Sequence, residues 1–480
     1  MQKILTISSE EILKGIAISP YYEGGAIFDV ASGIDFHRNP GLLGSGYTPT
    51  QIGSDVIDHI PKWILPYPAN AYIYVLGNNI ADKEGEIYRF LMSDDTHQAG
   101  NTPTFPFTVS GEPIRGAVIY KAALIYIYAS YIGKISSLGD ADPTVGATWK
   151  GNTWGTAGFH PIIIGPNNWA YIGDGNVLMG FSNITDASDL ATKLTLSTGM
   201  EILCGNHDGT YLILGTSTRR LDYGGVSYAD YSEVVFWDCW SASFNKKWSI
   251  PEGPIRKIKV IGTTVFVFAG ANVYICNYDT APEIFLGAKN ITNLTCHPNA
   301  ESDSVDYWQG QLLWGDDNSR YGWAYGSPNK MLPKILSSPI LVGSGEKIYS
   351  IKGITKDKIY VGASDGSTTC KLYAFKAGNA AATATTVLID LKGNWHIMGL
   401  KIRAKVLASG DALTVGIQNE AGTDIISDTF TYAADGAISS KFIKKQGSIS
   451  PITDQVILDL DFTANVRIKG MTLYGVPVPD

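Results

Sequence analysis

The residues of this chain whose type and placement suit chemistry are carboxylates at tight turns. Asp174, Asp238, Asp316 and Asp317 each lie at or beside a short turn between apolar runs. Two carboxylates facing each other across a sugar-sized cleft are what glycoside hydrolysis requires. Asp is also a preferred turn residue, because its side chain hydrogen-bonds the backbone just ahead of it. That role accounts for all four positions without catalysis. A sialidase-type box reads Ser-x-Asp-x-Gly-x-x-Trp, and DPTVGATW (142–149) approaches it. It keeps Gly146 and Trp149 but has Asp and Thr where Ser and Asp belong. The seven histidines, His37, His59, His97, His160, His207, His297 and His396, stand far apart with no i, i+4 or His-x-His pair, so no metal site is assigned. No Gly-x-Ser-x-Gly elbow, phosphate loop or dinucleotide fingerprint occurs. SLGDADPTVG (137–146) and AGTDIISD (421–428) carry spaced carboxylates without the spacing of a calcium loop. The chain reads as a non-enzyme with no catalytic residue, cofactor or metal.

Bulk properties narrow the class further. Of 480 residues, 45% are hydrophobic and 17% charged, which supports a large core and argues against overall disorder. The 52 Gly, 26 Tyr and 11 Trp fit many short strands joined by tight turns. Net charge is −8 and no basic patch stands out, so sequence-specific nucleic-acid binding is not expected; Lys441–Lys445 reads as a solvated strand edge. No run approaches the roughly 18 apolar residues needed to span a bilayer. MQKILTISSEEILKG lacks an apolar signal core, so a chain made in a reducing cytosol is expected. Cys204, Cys239, Cys276, Cys296 and Cys370 are odd in number and widely spaced, as buried free thiols would be. In that setting the sequons at Asn183, Asn290 and Asn293 carry no meaning.

What must position any of these residues is a repeat. Seven times the chain runs apolar strand, tight turn, second strand, from AYIYVLGNN…GEIYRF through TTVFVFAGANVYICN to DKIYVGASDGSTTCKLYAF. Anchored at Tyr72, Leu124, Trp169, Tyr211, Val265, Leu312 and Ile359, the copies recur at intervals of 52, 45, 42, 54, 47 and 47 residues. A further apolar stretch precedes each copy, IPKWILPYP and EPIRGAVIY among them. A period of roughly 40–50 residues with several strands per unit is the signature of a propeller blade. A seven-bladed β-propeller over residues 55–380 is therefore expected. Consecutive rather than alternating apolar positions follow from blades buried on both faces. Trp237-Asp238 is a single Trp-Asp dipeptide, too few for a WD-repeat chain, and the kelch double glycine is missing.

The two ends depart from the repeat. Residues 1–54 are rich in Gly, Pro and aromatics and read as an extended N-terminal arm. KAGNAAATATT reads as a linker. Beyond it, Leu400, Ile402, Ala404 and Val406 alternate with Lys401, Arg403 and Lys405, and Val456, Leu458, Leu460 and Phe462 alternate likewise. Period-two alternation predicts an antiparallel β-sandwich over 390–480. The arm offers Tyr21, Tyr22, Phe28 and Phe36 as partner-docking residues, ordered only on assembly; alternatively its strands complete the first or last blade.

Two stretches carry a resemblance. LTLSTGMEILCGNHDGTYLILGTS (194–217) with VVFWDCWSASFNKKWSIPEGPIRKIKVIGTTVFVFAGANVYIC (234–276), and the opening GIDFHRNPGLLG (33–44), resemble β-propeller proteins of tailed-bacteriophage virions, and the C-terminal module is similar to theirs. The resemblance implies a structural protein of tail, neck or tail tip. Its partners would be other virion proteins and copies of itself in a ring, without membrane insertion, in a virion assembled in a bacterial cytoplasm. It supplies no catalytic residues. The alternative is a carbohydrate-binding adhesin or propeller glycosidase, with Trp149, Trp154 and Trp240 stacking on a host-surface glycan.

Overall fold

The computed structural model describes residues 2–8, 28–32, 43–44, 47–100, 103–109, 111–141, 143–155, 158–222, 225–270, 272–287, 298–315, 321–325, 332–336, 347–377, 382–386, 388–421, 423–445, 452–463 and 466–479. Seven four-stranded antiparallel sheets follow one another along these residues. Their first strands are Ile60–Tyr67, Ile114–Tyr120, Ile162–Ile164, Met200–His207, Ile255–Ile261, Val305–Trp308 and Lys347–Thr355. Each packs beside the first strand of the next sheet, and the seventh returns to the first, so the sheets form a closed ring of β-propeller type.

Turn chemistry explains why the repeats fold this way. In the sixth sheet Trp308 pairs with Gln311 across a two-residue turn whose Gln309 (φ 49°) and Gly310 (φ 78°) are both left-handed. That is the hairpin turn whose twist matches the flanking strands. Second strands such as Tyr72–Asn78, Ala123–Tyr128 and Thr264–Ala269 are buried almost throughout, because neighbouring sheets cover both of their faces. Side chains also fasten one sheet to the next. Asn78 of the first sheet takes the Ile114 N–H at 2.8 Å and donates to the Ile114 carbonyl at 2.9 Å. Ser217 of the fourth sheet accepts from the Ile255 N–H at 2.9 Å.

The N-terminal stretch is not one arm. Gln2–Ile7, Phe28–Ser32 and Leu43–Gly44 are strands of the C-terminal sheet, and Tyr47–Ile52 is the outer strand of the seventh propeller sheet. Of the two readings left open for this stretch, completion of the last blade describes its final strand. Tyr47–Ile52 pairs with Cys370–Ala377, from Ile52 opposite Leu372 to Tyr47 opposite Ala377. Pro49 and its neighbours Thr50 and Gln51 are exposed, as an edge strand permits. Tyr21, Tyr22 and Phe36 lie outside the described residues. Phe28 stands opposite Thr386 in the C-terminal sheet.

The C-terminal region differs from the expected two-sheet sandwich. It is one ten-stranded sheet whose main path runs Gln2–Ile7, Arg467–Pro477, Ile389–Ala404, Ile452–Phe462, Ala382–Thr386 and Phe28–Ser32. Ala382–Thr386 belongs to the stretch read as a linker, so the module begins before residue 390 and draws on the N-terminus. Alternation marks which side chains are buried; it does not say whether the strands form two sheets or one curled sheet. Continuity comes from Ile389–Ala404, which pairs with Ile452–Phe462, Arg467–Pro477 and Ser440–Lys444. The irregularity between Asp390 and Trp395, with Lys392 (φ 59°) and Gly393 (φ 136°) left-handed, lets this strand turn a corner. One apolar cluster runs from Ile7, Leu400 and Leu473 of this sheet into Phe268 and Trp314 of the fifth and sixth propeller sheets.

A buried clamp reinforces the closure. Asp95, in the first sheet, accepts from Lys358 Nζ at 2.6 Å and Tyr360 Oη at 2.5 Å, and pairs with Lys376 Nζ at 2.5 Å, all three from the seventh. Ser350 of the seventh sheet donates to the Pro61 carbonyl of the first at 2.6 Å. Burial works to raise the pKa of Asp95, but the hydrogen bonds from Lys358, Lys376 and Tyr360 outweigh it and hold the carboxyl below its ordinary 3.8. A depressed carboxylate stabilises the fold above its unfolded pKa and loses that contribution as pH falls through the folded value. We predict that Asp95→Asn costs about 3–5 kcal/mol at pH 7 in guanidinium unfolding. The gap from wild type should shrink as pH falls below 3.8. A second prediction concerns the outer strand: deleting residues 1–53 should yield a chain without a protease-resistant core, checked by limited proteolysis.

Candidate functional site

The first strands of the ring wall a central channel. It encloses a cavity of about 250 Å³ bordered by Trp63, Phe159, Leu203, Lys257, Lys259 and Lys352 among others. That is smaller than the roughly 300–1,000 Å³ of most small-molecule sites. The segment leading into the sixth sheet borders this space through Ser302 and Asp303. Asp303 N–H donates to the Lys62 carbonyl of the first sheet at 2.8 Å, and its own carbonyl takes the Ile351 N–H of the seventh at 2.9 Å. Ser302 Oγ donates to the Tyr349 carbonyl. Lys257 Nζ of the fifth sheet reaches the Ala300 carbonyl at 2.8 Å. The segment thus bonds to the fifth, seventh and first sheets, and its Ser302 and Asp303 line the cavity.

The charges on the channel wall are largely matched in pairs. Asp306 lies 2.8 Å from Lys259 Nζ and 3.3 Å from Lys352 Nζ, and it accepts from the Gly353 N–H at 3.1 Å. Burial opposes its ionisation, but Lys352 and Lys259 prevail and hold its pKa low. Lys352 also meets Asp303 at 3.5 Å; burial disfavours its charge, yet Asp303 and Asp306 together raise its pKa. Asp82 receives Lys62 at 3.0 Å and Arg115 at 3.4 Å. Lys257 differs in kind. Burial pulls its pKa down, only partly offset by Cys204, Asp303 and Glu301, and a backbone carbonyl holds its amine.

The carboxylates singled out in the sequence do not converge. Asp238 caps its own turn, accepting from the Trp240 and Ser241 N–H groups at 2.8 Å each, from Ser241 Oγ at 2.7 Å and from Asn245 at 3.0 Å. The Ser241 N–H leads the interactions that depress its pKa. Asp174 accepts from the Gly155 N–H at 2.7 Å, with His160 3.9 Å away. Asp142, Asp316 and Asp317 lie outside the described residues. Trp149 packs against Phe181 with Lys150 over its ring, and Trp154 lies against His160; both are half-buried. Trp240 is 77% exposed. Cys204, Cys239, Cys276 and Cys370 are free and buried; Cys296, His37 and His297 lie outside the described residues.

The structure does bring together one set the sequence did not suggest. Asp58, His59 and Glu86 place one ligand atom each within 4.8 Å of one another. Glu86 lies on the third strand of the first sheet, and Asp58 and His59 lie just before its first strand, Ile60–Tyr67. Tyr72–Asn78 runs between these two strands, with Pro61 opposite Gly77 and Gly77 opposite Glu86. Gly77 leaves the space between them open: a Cβ there would fall 3.1 Å from the His59 Cβ. Only the register of a three-strand meander could have revealed this neighbourhood.

No family model matches the chain, and no curated protein sequence matches it. Among solved structures it is similar to one described as the Dos1 propeller, at 8% identity and TM-score 0.43, covering 69% of this chain and 95% of that one. It is also similar to the computationally designed Ika8 protein, at 8% and 0.40, covering 68% and 98%. Hydrazine synthase from Kuenenia stuttgartiensis is a third, at 13% and 0.45, covering 65% and 94%. Likenesses this distant carry no argument about activity.

The channel chemistry yields a contrast. Asp306→Ala strands Lys259, leaves Lys352 with Asp303 alone, and should destabilise by about 3–5 kcal/mol. Lys257→Met removes the amine of a half-buried side chain while keeping its bulk, and should change stability by less than about 1 kcal/mol. Urea unfolding of both variants checks the difference.

Proposed function

We propose that this chain is a non-enzymatic structural component of a tailed-bacteriophage virion, a rigid platform for protein–protein assembly at the tail, neck or tail tip. Each of the seven four-stranded sheets is read as one blade. The observation that carries the platform role is the interlocking of the two modules. One N-terminal stretch supplies three strands of the C-terminal sheet, Gln2–Ile7 and Phe28–Ser32 at the two ends of its main path among them, and the outer strand of the seventh propeller sheet, so both modules are built partly from it. A body joined this way keeps its shape while surface loops vary to suit partners. The channel supports the same reading, because the chain's own segment at 300–304 lines it and its carboxylates are engaged by lysine and arginine. The virion context rests on the resemblance of residues 33–44, 194–217 and 234–276 to propellers of such particles. Partners would then be other virion proteins and further copies of the chain in a ring.

The carbohydrate-binding alternative narrows to Trp240, whose ring stands clear of the surface on the turn capped by Asp238. Two measurements separate the readings. Mass spectrometry of purified particles from a lysogen or lysate carrying the gene should find the chain as a stoichiometric virion component. A glycan panel should show neither turnover nor binding sensitive to Trp240→Ala. Absence from particles, together with Trp240-dependent glycan binding, would replace the platform by an adhesin.

A further inference from the structure

Asp58 and His59 sit on the connection from the outer strand of the seventh sheet into the first strand of the first. Glu86 and Tyr88 are alternate residues of Gly85–Leu91, so they share one face of the first sheet. The His59 side chain is 7% exposed, and its Nε2 has no hydrogen-bond partner, so the ring's polar anchoring lies on the Nδ1 side. There, Nδ1 is 2.6 Å from Asp58 Oδ1 and 3.4 Å from Glu86 Oε2. Tyr88 Oη lies 2.7 Å from Asp58 Oδ1, 2.8 Å from Glu86 Oε2 and 3.2 Å from His59 Nδ1.

Counting protons exposes a deficit. With ionised carboxylates, the four atoms have one phenol hydrogen and at most one imidazole hydrogen to share among five close contacts. The phenol proton cannot serve Asp58 and Glu86 together, so one short O···O contact faces lone pair to lone pair. Charge shows the same deficit: among the described residues no Lys or Arg pairs with Asp58 or Glu86, and the basic side chain that both meet is the His59 imidazole. Two carboxylates, an imidazole nitrogen and a phenol oxygen in one nook form the donor set of a divalent cation of borderline hardness. Asp58, with its side chain 74% exposed, leaves one side open to water.

We propose that Asp58, His59 and Glu86 bind one divalent ion of the zinc–manganese class, with Tyr88 hydrogen-bonded beside it. Around a tetrahedral ion with ligand distances near 2.1 Å, neighbouring ligand atoms stand about 3.4 Å apart. The His59–Glu86 separation already matches, and the exposed Asp58 carboxylate has to swing by about 1 Å. Because Asp58 and His59 belong to the connection and Glu86 to the third strand of the first sheet, the ion ties the closing segment to that sheet.

The test titrates the metal-free full chain with zinc chloride and manganese chloride by calorimetry, and follows thermal unfolding with and without EDTA. One equivalent of at least one ion should bind with micromolar or tighter affinity and raise the melting temperature. The isosteric pair Asp58→Asn with Glu86→Gln should weaken binding at least tenfold while keeping the wild-type circular dichroism spectrum. X-ray absorption of the loaded wild type should show mixed nitrogen and oxygen ligation without sulfur, which keeps the proposal testable if the double variant fails to fold. Failure of both ions to bind stoichiometrically, binding untouched by the double substitution, or sulfur ligation would each overturn it.

Discussion

Everything in this molecule depends on closing a ring with a strand that comes from the other end of the chain. Ile52 pairs with Leu372, so more than three hundred residues lie between partners in one sheet. Bringing such distant segments together costs on the order of 5 kcal/mol in loop entropy, since the penalty grows as (3/2)RT ln n. A single edge strand returns part of that through its ladder. The rest comes from contacts made only when the first and seventh sheets meet: Asp95 with two lysines and a tyrosine, and Ser350 with the Pro61 carbonyl. A buried carboxylate with several donors is a hazard when any donor is missing and a strong specification of geometry when all are present. Asp95 therefore makes closure close to all-or-none.

The same economy governs the channel. Inward-facing lysines repel one another across a narrow space unless they are answered: Asp306 and Asp303 meet Lys259 and Lys352, Asp82 meets Lys62, and the Ala300 carbonyl holds Lys257. The segment at 300–304 then bonds to sheets on several sides of the ring. Catalytic funnels keep charged groups poised toward an empty space; here most of the charge is spent holding sheets to one another. The proposed role of a platform of constant shape would need this, with variation left to the outer loops.

Much of the fold was legible because propeller strands are short-range structures. The apolar run, the tight turn and the return strand occupy about fifteen residues, and period and polarity alone disclose them. Long-range facts were not legible. TPTQI carries one local hint of an edge strand, Pro49, but nothing in it names Cys370–Ala377 as its partner. The linker reading of KAGNAAATATT failed because small residues weaken a strand signal without preventing pairing inside a sheet. The two-sheet sandwich gave way to one curled sheet because the corner at Lys392 and Gly393 is a backbone event that alternation does not record. Of the candidate residues, Asp238 was correctly legible as a turn cap, whereas Asp58, His59 and Glu86 meet through strand register across Gly77. No spacing rule along the chain would have joined them.

Native-state hydrogen exchange followed by mass spectrometry tests the closure most directly. If the ring is held shut by Tyr47–Ile52 and the Asp95 clamp, peptides covering that strand and Cys370–Ala377 should exchange only with global unfolding. Their opening free energy should match that of the buried Tyr72–Asn78 strand. Early exchange of the outer strand, while the other sheets remain protected, would contradict the account: the ring would then stand without its closing strand.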